Sequence, residues 1–186
     1  IMEVYEVTDG FENYNSPIIP RVVQVLDRYD STTFTTRLVP NRMYRFVIWA
    51  DFVADGEYKN NPLTVESLNY NTDDLKNITP KVWNAMDESR DAYFITETAY
   101  ITTNLKRDLT LTRPFGKLRV ITTDIEELNI GSVPDKVEIT YYNHPIYDSL
   151  NAVTGDLNTT TKDLTYSFEV SKDAPDVVAA MEAAPN

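Results

Sequence analysis

The sequence predicts a mainly β protein, an antiparallel β-sandwich with one or two short helices. Three observations carry this. The 186 residues include 22 threonines and 12 tyrosines against 5 glycines, and threonine and tyrosine suit a pleated, half-buried surface better than a helix interior. Strand-like runs follow one another with little helical pattern between them, which disfavours βαβ units and a parallel sheet. The apolar run Phe46-Val47-Ile48-Trp49-Ala50 has the length of a strand buried on both faces. It falls far short of the roughly 18 apolar residues of a membrane-spanning helix.

In chain order, residues 1–7 (IMEVYEV) and 21–28 (RVVQVLDR) are β-prone runs separated by a polar loop with Asp9-Gly10, Pro17 and Pro20. Residues 33–39 and 43–53 pattern as a hairpin around Pro40-Asn41, with MYRFVIWADFV as the core strand. Residues 55–80 turn polar, with Asp55-Gly56, Asn60-Asn61-Pro62 and Asn69 to Asp74 as turn chemistry. Residues 81–92 space Val82, Trp83, Ala85, Met86 and Ala92 as a short amphipathic helix would. Strand patterns return at 93–103 and at 107–113, where Leu109 and Leu111 face away from Thr110 and Thr112.

Pro114 opens PFGKLRVITTD, with Leu118, Val120 and Thr122 on one face; Thr123-x-x-Glu126 predicts one helical turn over 124–129. Residues 136–142 (KVEITYY) and 162–170 (KDLTYSFEV) alternate, the second with Leu164, Tyr166, Phe168 and Val170 on one side. A single β-sandwich domain over 1–173 accommodates these strands. The acidic, Ala-rich segment 174–186 reads as a frayed helix, or a tail or linker to a further domain. Two conditions follow: Trp49 must not be exposed, and Met43 to Val53, Leu118 to Thr122 and Val137 to Tyr142 must be buried sheet.

Charge and composition narrow the function. Lys plus Arg is 17 and Asp plus Glu is 29, a net charge of −12. That is the wrong sign for a phosphate backbone, so no nucleic acid partner is expected. Residues 1–93 and 94–186 each net −6, an even acidity that reads as solubility charge. There is no cysteine, and His144 is the only histidine. Thiol catalysis, disulfides, sulfur-ligated zinc and multi-histidine centres are thereby excluded, and no cofactor or metal is expected. The chain opens Ile1-Met2-Glu3, as expected where a signal peptide was removed or never existed.

Several residues invite a chemical reading. Asn69, Asn71 and Asp73 fall at the first, third and fifth positions of a calcium loop. The sixth, however, is Asp74 where glycine is needed, and the twelfth is Pro80 where a bidentate glutamate is needed. The stretch reads as a loop of turn-forming residues. His144, Asp148 and Ser149 offer triad chemistry but cluster in one segment, and no Gly-x-Ser-x-Gly turn is present. His144 therefore reads as a turn residue on a polar surface. Asp51 reads as a structural carboxylate, accepting backbone or tyrosine hydrogen bonds where the core strand ends.

The remaining carboxylates are too numerous to single out a glycosidase pair. Phe115-Gly116-Lys117 is a lone glycine in a strand-opening turn rather than a phosphate loop. Tyr58, Tyr70, Tyr93, Tyr141, Tyr142 and Tyr147 lie in or near loops; they suit a sugar platform, or else a sandwich rim and core. Asn158-Thr159-Thr160 matches a glycosylation acceptor, and Asp148-Ser149-Leu150 resembles a bacterial O-glycan acceptor. No nucleophile–base constellation emerges, so the chain is not read as an enzyme.

Taken together and in order, RMYRFVIWADFV, NYNTDDLKNIT, ESRDAYF, LTRPFGKLRVITTD and PDKVEITYY resemble the N-terminal domain of the Bacteroidetes fimbrillin family, the FimB/Mfa-like fimbrial subunits and related surface lipoproteins. The likeness spans residues 42–150. It implies a transthyretin-like β-sandwich in an exported lipoprotein, held at the outer-membrane surface by a lipidated cysteine that is not in this chain. In polymerising members of such a family a strand from one subunit completes the sheet of the next, which is β-augmentation. The family's cleavage arginine has no clear counterpart; Arg21, in a Pro-rich loop, is the one to consider.

The expected function is that of a non-enzymatic cell-surface fimbrial (pilus) subunit or fimbrillin-like lipoprotein domain. Its partners would be other fimbrial subunits, joined by donor-strand complementation, and it would contribute to adhesion. The alternative is a surface module that recognises glycan or host protein through its tyrosine-bearing loops. Membrane attachment would be through the lipid anchor alone.

Overall fold

The computed structural model describes residues 1–8, 14, 16–26, 31–53, 65–81, 88–121, 136–169 and 178–183. Within them the protein is mainly β with antiparallel sheets, as composition and strand succession predict. The strands are β1 (Met2–Val7), β2 (Arg42–Ala50), β3 (Tyr70–Asn71), β4 (Thr79–Pro80), β5 (Tyr93–Ile101), β6 (Gly116–Ile121), β7 (Lys136–Asn151), β8 (Asp156–Glu169) and β9 (Val178–Ala183). Of the predicted helix over 81–92 only the end is described, where Glu88–Arg90 form a 3-10 turn. The predicted turn at 124–129, Tyr58 and Val170 lie outside the described residues. Residues 1–173, read from sequence as one sandwich, fall in two compact units: Ile1–Lys81, Ser89–Pro114 and Ser149–Leu157 form the first, and Val82–Glu88, Phe115–Asp148 and Asn158–Asn186 the second.

The first unit is built on a three-stranded sheet in the order β1-β2-β5. The aromatic and β-branched run of β2 takes the central place, with Val4 opposite Phe46 and Ile48 opposite Ile95. Alternation sends Met2, Val4 and Tyr44 to one face, where Ile19, Val22, Phe34 and Leu38 pack against them. The other face carries Tyr5, Val47 and Trp49, all buried. Trp49 meets the edge of Tyr70 at 5.3 Å between ring centroids. Leu75, Ile78, Leu150, Ala152 and Val153 are also fully buried, and Ile78 and Leu150 exchange backbone hydrogen bonds at 2.9 Å. This unit is sandwich-like, and the condition set on Trp49 is met; that on Met43 to Val53 is met in part, since β2 ends at Ala50 and both Met43 and Ala50 are exposed.

Three local readings change. The 33–39 arm of the predicted hairpin is not a strand: both edges of β2 are taken by β1 and β5, so Phe34 and Leu38 serve as cover for the core. Asn41, at φ 60°, turns the chain into β2; asparagine tolerates this left-handed region better than most side chains. Of the predicted strands 21–28 and 107–113, the described residues 21–26 and 107–113 each contribute one bridge, Val22 to Met2 and Thr112 to Phe94. Leu109 and Leu111 remain more buried than Thr110 and Thr112, so the predicted faces hold there.

β7 and β8 pair as one long hairpin of 16 and 14 residues, far longer than the 136–142 and 162–170 runs suggest. Asn143 carries φ 49° within β7, and its backbone N–H donates to Asp163 Oδ1 at 2.7 Å. The strand passes through this kink and continues. At the tip, the Asn151 carboxamide oxygen accepts from the N–H groups of Val153 and Thr154 at 3.0 and 3.2 Å, and Gly155 supplies a φ of 83°.

The condition on Val137 to Tyr142 fails in part. Val137, Ile139 and Tyr141 are half-buried while Tyr142 is exposed, because this ribbon has two strands and one of its faces meets solvent. For Leu118 to Thr122 the backbone pairing of β6 is described as far as Ile121.

Candidate functional site

The place where strand pairing itself offers a function is β6. It pairs antiparallel with β9 over all six residues, from Gly116 opposite Ala183 to Ile121 opposite Val178. The predicted frayed helix or linker at 174–186 is thus corrected over 178–183. Alanine favours helix by only tenths of a kcal/mol per residue, and an available sheet edge outweighs that preference. In register, Gly116, Leu118 and Val120 stand opposite Ala183, Met181 and Ala179, and Lys117 stands opposite Glu182.

The sheet of the first unit has its outer edges partly covered. Met2 exchanges hydrogen bonds with Val22 at 2.8 and 3.0 Å, and the Ile18 N–H donates to the Val4 carbonyl at 2.8 Å. Arg21 fastens this cover. Its Nε donates to Glu3 at 2.8 Å, while Nη1 and Nη2 reach the carbonyls of Thr72 and Asp73 at 2.6 and 2.7 Å. Glu3 is only 4% exposed and also accepts from the Tyr5 hydroxyl at 2.5 Å. Burial, reinforced by the hydrogen bond and charge of Glu3, pushes the Tyr5 phenol well above its ordinary range. Sequence reading missed this network, although an acid and a tyrosine at alternate positions of an apolar strand were its visible signal.

On the opposite side, Phe94 and Thr112 exchange hydrogen bonds at 2.9 and 3.0 Å along the free side of β5. A family profile described as a family of unknown function, DUF6562, matches residues 1–183. The chain belongs to the DUF6562 family. No curated protein and no solved structure matches it.

The other residues singled out in this DUF6562 member fall mostly into supporting roles. Asn69 donates to the Ser89 carbonyl at 2.8 Å and Asn71 to the Thr79 hydroxyl at 3.0 Å. The carbonyls of Thr72 and Asp73 receive the Arg21 guanidinium, which ties this loop to the cover of β1. Among the described residues no cluster of metal-ligating side chains forms.

His144 is in strand β7 rather than a turn, and its ring lies 5.5 Å from that of Tyr141. The kink at Asn143 shifts the alternation so that these two share a side. Asp148 accepts from the Thr160 hydroxyl and lies 3.7 Å from Lys162 Nζ. Ser149 is buried, which removes it as an accessible O-glycan acceptor. Asn158 is exposed on β8. Phe115 packs against Tyr147 at 5.0 Å just before Gly116 opens β6.

Asp51 accepts from the Ser67 hydroxyl rather than from a tyrosine, and Ser67 Oγ in turn accepts from the Tyr70 N–H at 3.1 Å. Burial raises the Asp51 carboxyl above its ordinary value, with the Ser67 hydrogen bond working in the other direction. Tyr70 and Tyr147 are core residues, Tyr93 and Tyr141 are half-buried, and Tyr142 is 77% exposed. Burial also raises the Tyr141 phenol. The described tyrosines are thus divided between core and surface.

Proposed function

We propose that this chain is a non-enzymatic building block of a bacterial cell-surface fibre, joined to its neighbours by strand addition. The observation that carries the reading is the β6·β9 ladder, in which a strand near the end of the chain completes β6 along its whole length. Main-chain hydrogen bonds of this kind form equally well whether the strand comes from the same copy or the next. Alternate positions then supply selectivity: Ala179, Met181 and Ala183 stand opposite the apolar set of β6, and Glu182 opposite Lys117. The resemblance to fimbrial subunits over residues 42–150 supports the same reading. On this reading the protein stands outside the cell, on the outer membrane, tethered by a lipid.

The absence of cysteine makes a clean test available. Leu118 and Met181 are register partners, so Leu118→Cys copies are mixed with Met181→Cys copies and oxidised. Disulfide-linked mixed dimers are the expected product. Mixed copies that never cross-link, while a Leu118→Cys/Met181→Cys chain closes within itself, would refute strand addition. On producing cells, protease applied from outside should degrade the protein; complete protection would remove the surface reading.

The glycan or host-protein alternative has one observation in its favour. Tyr142 projects from the ribbon on the side that also carries the Thr140 and Thr165 hydroxyl pair, 2.9 Å apart. A saturable signal on a glycan array, lost in Tyr142→Ala, would establish it.

A further inference from the structure

The first unit is not built from one continuous stretch of chain. Residues 1–81 and 89–114 supply its sheets, and Ser149–Leu157 return to it from the β7–β8 hairpin, whose stems on either side belong to the second unit. These returning residues are the hairpin's tip. A hairpin tip is ordinarily polar and solvated, but this one reads Ser149-Leu150-Asn151-Ala152-Val153 before Thr154-Gly155-Asp156. Leu150, Ala152 and Val153 are at most 1% exposed and Ser149 is buried, while Thr154, Gly155 and Asp156 are exposed.

The tip is bonded to three separate places in the first unit. Leu150 exchanges both backbone hydrogen bonds with Ile78 at 2.9 Å, and the Ala152 N–H donates to the Leu75 carbonyl at 2.8 Å. The Val153 carbonyl accepts from Arg45 Nη1 on β2 at 3.1 Å and from the Thr96 hydroxyl on β5 at 3.4 Å. Leu75 and Ile78 are themselves fully buried. Withdrawing the tip would strip polar backbone of its partners and open apolar surface to water in one step. The stems have cross-strand contacts of their own: Asp148 accepts from the Thr160 hydroxyl, the Asn143 N–H donates to Asp163, and the Thr140 and Thr165 hydroxyls pair at 2.9 Å. The tip is thus carried by strands whose pairing belongs to the other unit.

An element with two discrete positions, seated or withdrawn, is what energetic coupling between distant parts of a protein requires. We propose that Ser149–Leu157 is a strap by which the β7–β8 ribbon of the second unit holds the first unit closed. Whatever opens the ribbon, a competing strand or a cut in β7 or β8, then loosens the β1-β2-β5 sheet. The same strap makes the first unit close late. Its contacts to β5 and β2 join residues 57 and 108 positions apart, and long-range closures are slow. The strap needs no second copy and works whether or not β6 takes a strand from a neighbour.

The test perturbs the ribbon and reads the sheet. Trp83→Phe leaves Trp49 as the single tryptophan of the full chain, so urea unfolding by fluorescence follows the first unit. In that background Thr140→Cys/Thr165→Cys links the two stems when oxidised, and the Trp49 midpoint should rise by about 1 M urea over the same chain reduced. Thr165→Pro, which breaks the ladder within β8 without any cysteine, should lower the midpoint by a similar amount. Val153→Asp should lower it too and largely remove the effect of the stem disulfide, because the strap no longer seats. Asn151→Ala deletes only the carboxamide that shapes the turn; it should do the same in smaller measure, and serves where the aspartate prevents folding. A Trp49 midpoint indifferent to the disulfide and to Thr165→Pro would overturn the proposal. So would a disulfide effect of undiminished size in both tip variants, since coupling would then run through another part of the chain.

Discussion

Replacing Arg21 with methionine tests whether charge holds the cover of β1 in place. Methionine keeps most of the aliphatic stem and removes every donor. Glu3 would retain the Tyr5 hydroxyl at 2.5 Å and lose both guanidinium contacts, at 2.8 and 2.6 Å. Breaking a fully buried pair from one side costs about 3–5 kcal/mol. Here the side chains are 26% exposed for Arg21 and 5% for Glu3, so solvent reaches one partner and the cost falls to about 2–3 kcal/mol. The part-buried bond to the Thr72 carbonyl adds about 1 kcal/mol, while the exposed one to Asp73 adds little. The sum, about 3–4 kcal/mol, corresponds to a fall in Tm of about 10 °C for a chain of this size.

Urea denaturation followed by tryptophan fluorescence reads the change, since Trp49 is buried in this unit. Glu3→Gln supplies the control: glutamine still accepts from Tyr5 and removes the charge. The double variant should recover about 1.5 kcal/mol or more relative to the sum of the single ones. A loss under about 1 kcal/mol for Arg21→Met, or a coupling near zero, would mean that the network is incidental and that packing alone holds residues 18–22 on β1.

The remaining predictions concern Asp51, Trp49 and Gly155. Burial raises the Asp51 carboxyl in the folded state, so the fold binds that proton more tightly than the unfolded chain does. Its contribution to stability then declines as pH rises from the unfolded value through the folded one. Asp51→Asn should therefore melt above the parent at about pH 7, with the gap closing towards about pH 4; a variant less stable at neutral pH would show that the Ser67 hydrogen bond outweighs burial. Trp49→Ala removes a fully buried ring from β2 and should cost about 3–5 kcal/mol by chemical denaturation; a cost under about 1 kcal/mol would sink the core assignment. At Gly155 an added Cβ meets nothing within 4 Å, but φ is 83°. Gly155→Ala should cost about 1 kcal/mol from the backbone alone, and Gly155→Asn less.

What the sequence determined by itself was whatever depends on neighbours along the chain. Threonine and tyrosine content set a mainly β protein, and the run from Met43 to Trp49 marked the core strand, because β-branched and aromatic side chains crowd a helix and fill a pleated sheet. The loop reading of Asn69 to Asp74 was legible for the same reason, although the guanidinium that satisfies it comes from Arg21, distant in sequence.

Tertiary structure decided who pairs with whom. Residues 33–39 have the same local alternation as a strand, yet β1 and β5 took both edges of β2. Asn143-His144-Pro145 is turn chemistry locally, yet the ladder with β8 carries β7 through it on a left-handed asparagine. An Ala-rich segment became β9 because β6 offered it an edge. The charge is even between the two halves of the chain and uneven between the two folded units, which interleave those halves. Propensity is worth tenths of a kcal/mol per residue, whereas edges and faces are filled by whichever distant segment gains most from closing them.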